Sequence, residues 1–360
     1  MDKKYRIQNK GLRITVRVAI IVVATITVVI AAGWIVFRIV VRPPEVPQIP
    51  IISDQENSSD HQDGDSEGVG DAQGDLTLPG FTQFEERRPN FYTFVIFGLT
   101  EGLNANTIMV AAYDADAREG FIISIPRDTL IDVQRNNRKI VSSYPSGRLG
   151  GRGHEGGVEQ VRRDVQSLVG FRPDFYIRVD YAAFVRMVDA VGGVEIYVPF
   201  RMYYNDPFQN LHINLQPGLQ LLNGEDALRF SRYRTGTAGV SPTISDYQRI
   251  IHQQQVLSAV FQRLLTPASI LRIPEFISIF NDYVYSDLTT GELLWFGNQA
   301  RHIGGIDALN TYTLPMIGTS GAPSWYELAD PEGILELVNR TINPLIRDIT
   351  MDDLRIRITQ

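Results

Sequence analysis

Four arginines and two aspartates hold most of the chemistry in this sequence. The stretch "FIISIPRDT" runs an apolar segment into Arg127 and Asp128. In "ALRFSRYRT", Arg232 and Arg234 stand two apart, which in an extended chain turns both side chains to one face. In "ISDYQRIIH", Asp246 and Arg249 stand three apart, neighbours on one face of a helix start. A guanidinium fork matches phosphate oxygens, and several forks together can hold a diphosphate. Taken singly, each arginine also fits a surface ion pair, Arg127 with Asp128 and Arg249 with Asp246, and spacing alone leaves both readings open. Other chemistries are poorly supplied. There is no cysteine, no G-x-S-x-G or H-E-x-x-H motif, and the five histidines are not spaced as a metal pair.

The elements that must position these groups are legible from residue 90 onward. "FYTFVIFG" (91–98), "TIMVAAYD" (107–114) and "FIISI" (121–125) are nearly continuous apolar runs, as expected of strands covered on both faces. Val158, Val161, Val165, Leu168 and Val169 recur at helical spacing before Gly170. "FYIRV" (175–179) and "VEIYV" (194–198) read as further strands, with a helix between them capped by Asp180 and stopped at Gly192-Gly193. Asn223 caps a short helix over 223–231, and a longer helix starts at Asp246. Strands alternating with helices predict an α/β fold with a mixed or largely parallel central sheet sandwiched between helices. One domain is expected over residues 89–345, followed by a C-terminal tail at 346–360.

The front of the chain is different. Residues 1–17 hold six basic residues against Asp2, and "VAIIVVATITVVIAAGWIVF" (18–37) has no charge. A helix of that length spans about 30 Å, the thickness of a bilayer core, and it is apolar on every face, unlike a core helix. It predicts one transmembrane helix at 18–38, with the basic tail cytoplasmic and the rest outside. Residues 43–86 contain eleven acids and no Lys or Arg, so 39–88 is expected to be an acidic, disordered linker. From residue 89 onward 24 basic residues face 29 acidic ones, which leaves no basic footprint for nucleic acid.

Five blocks in order resemble the LytR–CpsA–Psr family of cell-envelope proteins. They are "SIPRDT" (124–129), "VDYAAFVRMVDAVGGVEIYV" (179–198), "LQPGLQLLNGEDALRFSRYR" (215–234), "SDYQRIIHQQQVL" (245–257) and the looser "YVYSDLTTGELLWF" with "TYTLPM". The resemblance implies a phosphotransferase at the cell membrane. Such enzymes move a glycopolymer, such as a teichoic acid, from a polyprenyl pyrophosphate carrier to a peptidoglycan hydroxyl. It implies that Arg127, Arg232, Arg234 and Arg249 bind the pyrophosphate, with the lipid tail in an apolar pocket. It also implies that Asp128 and Asp246 orient arginines or assist proton transfer.

The family also holds Mg²⁺ through two aspartates, and both positions differ here. "FGLTEGL" has Thr100 at the first and "NANTIMV" has Asn106 at the second, with Glu101 as a neighbouring carboxylate. Neutral oxygens are weaker ligands for a hard cation. Three readings stay open: a transferase with altered metal use, a member that binds lipid-linked precursors without turnover, and an envelope scaffold. Transcription control would need the domain on the cytoplasmic side, against the charge bias before residue 18.

Overall fold

A meander starts the fold in a computed structural model that describes residues 41–46, 85–100, 103–266, 272–300, 302, 308–321 and 325–356. Strands β1 (Phe91–Leu99), β2 (Ala105–Asp114) and β3 (Glu119–Ile125) pair antiparallel in sequence. Their links are short, and a short link joins only antiparallel neighbours. β1 sends Phe91, Val95 and Phe97 to one face and Tyr92 and Phe94 to the other, all buried, which is why the run looked continuously apolar. Helices α1 (Ser143–Arg148) and α2 (Gly153–Val169) follow. α2 ends at Gly170, whose φ of 81° is the left-handed cap glycine supplies without strain.

β4 (Phe175–Val179) then lies parallel to β1, and α3 (Tyr181–Ala190) begins with the Asp180 carboxylate accepting from the Ala183 N–H at 2.9 Å. β5 (Val194–Val198), β6 (Met202–Asp206), β7 (Leu211–Leu215) and β8 (Gly218–Leu222) form two hairpin-like sheets, β5 with β8 and β6 with β7. α4 (Gly224–Arg232) starts where Asn223 accepts from the Asp226 N–H, and α5 (Asp246–Leu264) starts in a Ser245–Gln248 capping box. Gly224 lets α4 approach α3 closely, because a Cβ there would fall 2.2 Å from the Val185 carbonyl oxygen. The chain closes with α6 (Ile273–Tyr283), β9 (Tyr285–Ser286), α7 (Thr290–Ala300), β10 (Leu309–Thr313), β11 (Met316–Thr319), β12 (Glu327–Ala329) and α8 (Pro331–Thr341).

The central sheet is mixed, in the order β10-β3-β2-β1-β4-β9. Parallel pairing is confined to β1 with β4 and β3 with β10, where a helix or longer crossover intervenes. One face packs on Val161, Val165 and Leu168 of α2 and on Ile334 and Val338 of α8. The other meets an aromatic cluster in which Trp295 and Phe296 of α7 sit edge-on to Tyr92 and Phe94. A second core joins α3, α4 and α5 to the β5–β8 strands around Val188, Met202, Phe230 and Tyr233. The α/β class with a mixed sheet between helices therefore holds.

The packed unit runs past the expected limits at both ends. Arg87 bridges to Leu345, the Arg88 N–H donates to the Pro344 carbonyl, and Arg347 ion-pairs with Glu85 at 2.6 Å. Ile349 is buried in the core and the Arg355 N–H donates to the Ser167 carbonyl at 2.8 Å. Residues 346–356 are part of the domain, not a tail; their five apolar residues stand among charged ones at no helical or strand period, so the local sequence looks like surface. The expected span at 18–38, the linker at 39–88 except 41–46 and 85–88, and Glu101 lie outside the described residues, and within 41–46 Val46 packs on the aromatic cluster where a disordered linker was expected. Among the described residues no helix is long and apolar enough to cross a membrane.

Candidate active site

A cavity of about 690 Å³ opens between the aromatic-side face of the sheet and helices α3, α4 and α5. Ile96, Met109 and Ile177 of the sheet and Phe184, Val256 and Val260 of the helices give it apolar walls. Arg127, Arg232, Arg234 and Arg249 all line it, so tertiary structure brings the four arginines together.

Arg127 leaves the end of β3, where Thr129 turns the chain by donating its hydroxyl to the Pro126 carbonyl at 2.6 Å. Asp246 and Arg249 project from the first turn of α5, with Asp246 Oδ1 2.8 Å from Arg249 Nη2. The same oxygen lies 3.5 Å from Arg127 Nε and 3.9 Å from Arg234 Nε. One carboxylate thus faces three guanidinium groups, and those groups grade from buried to open: their side chains are 8%, 20% and 47% exposed for Arg249, Arg127 and Arg234. Burial, reinforced by Arg127 and Arg234 and opposed by Asp246, pulls Arg249 down to about 10, so it stays charged at neutral pH. Arg249 Nε and Asp246 Oδ1 are buried without an aligned hydrogen-bond partner, so the 2.8 Å approach is an ion pair and not a well-directed bond. The orphaned Arg249 Nε leaves a donor for an incoming anion.

The extended spacing expected for Arg232 and Arg234 is not what the structure has. Arg232 is the last residue of α4, and its guanidinium lies over the Tyr181 ring, 4.5 Å from the centroid. The fully buried Tyr233 is pinned between the two by hydrogen bonding its hydroxyl to the Pro242 carbonyl, and both neighbours still reach the cavity. Helix propagation through "EDALRFSR" won over the alternation the sequence suggested.

Asp128 is held from the other side, with Lys139 Nζ 2.8 Å from its Oδ1 and Arg127 Nε 3.7 Å from its Oδ2. Lys139 was not among the site residues expected from the sequence. Neither was Glu327. β12 delivers it through backbone bonds, Glu327 N–H to the Asp128 carbonyl at 3.0 Å and Leu130 N–H to the Glu327 carbonyl at 2.9 Å. Burial first, then the charges of Asp128 and Asp246, raise the Glu327 carboxyl above its usual range.

Thr100 and Asn106 also line the cavity, at the β1–β2 end, with a bulge between Gly98 and Leu99. They offer a hydroxyl and an amide. Asp180 lines the cavity too, but its Oδ1 already caps α3. Among the described residues no group of three or more His, Cys, Asp or Glu could hold a metal ion. Thr100 and Asn106 are neutral and Asp180 is committed to its cap, so the described donors do not make a site that holds Mg²⁺ without the substrate's phosphates. Positive charge in this cavity comes from guanidinium groups.

The LytR_cpsA_psr family model matches residues 88–341, the unit that builds this cavity. The chain belongs to the LytR_cpsA_psr family. Regulatory protein MsrR of Staphylococcus aureus strain COL is 27% identical over 214 residues, 59% of each chain. Cell wall biosynthesis protein LcpA of Corynebacterium glutamicum is 27% identical over 251 residues, 64% of this chain and 46% of that one. The match to MsrR thus spans less than two thirds of that relative's length. Among solved structures, B. subtilis TagV aligns with a TM-score of 0.57 at 21% identity, covering 70% of this chain and 96% of that one. TagT bound to LIIa-WTA aligns at 0.56 and 17%, covering 71% and 91%. These likenesses establish the fold of the LytR_cpsA_psr domain.

Proposed function

We propose that the chain is a membrane-anchored phosphotransferase of the cell envelope. It takes a glycopolymer from a polyprenyl diphosphate and attaches it to a peptidoglycan hydroxyl. The observation that carries this reading is the shared cavity, which four arginines line, three of them around Asp246, beside apolar walls fit for a lipid tail. Relatives support the glycopolymer side: LcpA is named a cell wall biosynthesis protein, and TagT is described bound to LIIa-WTA. The apolar stretch at 18–38 and the acidic linker at 39–88 would hold the domain outside the membrane.

In this reaction the acceptor hydroxyl oxygen attacks the phosphorus bearing the glycopolymer. The bond from that phosphorus to the bridging oxygen breaks, and polyprenyl phosphate leaves with the electron pair. Arg127, Arg249 and Arg234 neutralise the non-bridging oxygens, where transition-state charge gathers. Arg232 adds a planar fork above Tyr181. Asp246 holds the arginines in register. Asp128 has a side chain 30% exposed, open enough to take the acceptor proton, with Lys139 alongside. No step is assigned to Mg²⁺, because Thr100 and Asn106 do not supply its ligands. The same two residues favour a second reading, a precursor-binding member without turnover.

A calorimetric titration of a short polyprenyl diphosphate into the full-length chain in detergent tests the reading, in Mg²⁺ and then in EDTA, alongside a transfer assay. Binding should be at least tenfold weaker in Arg127→Ala and unchanged by EDTA. The double change Thr100→Asp/Asn106→Asp should confer metal dependence. Wild-type binding without transfer would favour the precursor binder, and absence of binding would sink both.

A further inference from the structure

Helix α5 has a second lined face. Gln253, Val256, Leu257 and Val260 wall the apolar cavity at steps of three and four. Ile251, Gln254, Gln255, Ser258 and Gln262 repeat those steps around the helix and line a separate groove of about 370 Å³. Thr311 of β10 and Glu195 and Tyr197 of β5 form its other sides. The Gln254 amide is committed to the floor, donating to Ser124 Oγ at 3.0 Å and to the Tyr312 carbonyl at 2.8 Å. Gln255, Ser258 and Gln262 make no side-chain hydrogen bond to other described residues. They stand at i, i+3 and i+7, a row of free amides and a hydroxyl about 10 Å long.

The β5 side of this groove is aromatic, and the strand beyond it is aliphatic. Tyr197 is 64% exposed, and on β8 Leu219 and Leu221 pair with Tyr197 and Glu195 and are 66% and 62% exposed. An exposed ring with a polar tip beside free amides suits a ligand that carries both an apolar face and many hydroxyls. Among the described residues, Glu195 is the only charged one lining the groove, and no cation lines it, so a polyanionic polymer is disfavoured. An uncharged saccharide meets each requirement: its C–H face stacks on Tyr197, its hydroxyls exchange bonds with the amides, and nothing repels it. Ile251 and Arg249 stand on opposite flanks of α5, and the groove's link to the arginine cluster is its floor, where Gln254 bonds Ser124, three residues before Arg127.

We propose that this groove binds an uncharged saccharide chain and leads it along α5 toward the arginine cluster as the acceptor. The acceptor role rests on the transfer reading; the binding does not. Chitotetraose is titrated calorimetrically into the full-length chain in detergent, as wild type, Tyr197→Ala, Gln255→Ala/Gln262→Ala and Arg127→Ala. Wild type and Arg127→Ala should bind alike, while the two groove variants each bind at least tenfold more weakly. Polyprenyl diphosphate affinity should not move in the groove variants, which also serves as their folding control because the changed residues are exposed. No wild-type binding, or affinity untouched by both groove variants, overturns the proposal. Tyr197-dependent saccharide binding in a chain that fails to bind diphosphate would support the groove and count against the transfer reading.

Discussion

Asp246 turns one carboxylate oxygen toward Arg249, Arg127 and Arg234, and the most buried of them depends on it most. Removing one partner of a buried pair leaves the other charge uncompensated. Asp246→Asn should therefore cost about 3 kcal/mol of stability, read by urea denaturation of the full-length chain. Added diphosphate should recover part of that loss, because an anion then occupies the place of the carboxylate. A variant as stable as wild type would mean that the arginines do not need Asp246. The interaction itself was readable in the sequence from the three-residue step between Asp246 and Arg249. Its extension to Arg127 and Arg234 was not, since those residues come from other elements.

At the scale of elements, α5 does two jobs with one register. Its capping box, in which the Gln248 N–H donates to Ser245 Oγ at 3.1 Å and the Ser245 N–H donates to Gln248 Oε1 at 3.1 Å, fixes the turn that carries Asp246 and Arg249. One turn further on, His252 is buried, stacked on Phe230 with ring centroids 4.5 Å apart, and its Nδ1 has no partner. Burial lowers its pKa to about 4, whereas an unfolded histidine titrates near about 6.5. The folded state therefore resists a proton that the unfolded state accepts. His252 favours folding fully above the unfolded value, and that contribution is lost as pH falls toward 4. Stability should drop by about 3 kcal/mol across that window, and His252→Leu should flatten the dependence. Identical slopes in the two proteins would remove His252 as the cause.

On the scale of the whole molecule, the two ends of the described domain clasp each other through Arg87 with Leu345, Arg88 with Pro344 and Arg347 with Glu85. Asp353 shares Arg347 at 2.8 Å, and Ile349 reaches the core beside Gly170. A chain ending at residue 345 loses the buried Ile349 side chain and these ion pairs. Its melting temperature should fall by several degrees, since a fully buried aliphatic side chain alone contributes about 2 kcal/mol. An unchanged melting temperature would make residues 346–356 dispensable.

The sequence by itself determined what is settled within a few residues. The apolar runs became β1, β2 and β3, Asp180 and Asn223 became helix caps, Gly170 closed α2, and Asp246 met Arg249 one turn on. Motifs in order were enough to give the LytR_cpsA_psr family, since each block keeps its own local spacing. Tertiary structure alone decided that Lys139 pairs with Asp128 and that β12 lays Glu327 against the Asp128 backbone. It alone laid residues 346–356 on the core and set α5 between an apolar cavity and a polar groove. The physical reason is range: caps and periodicity act over one or two helical turns, whereas these contacts join segments far apart in the chain and exist only once the sheet order is fixed.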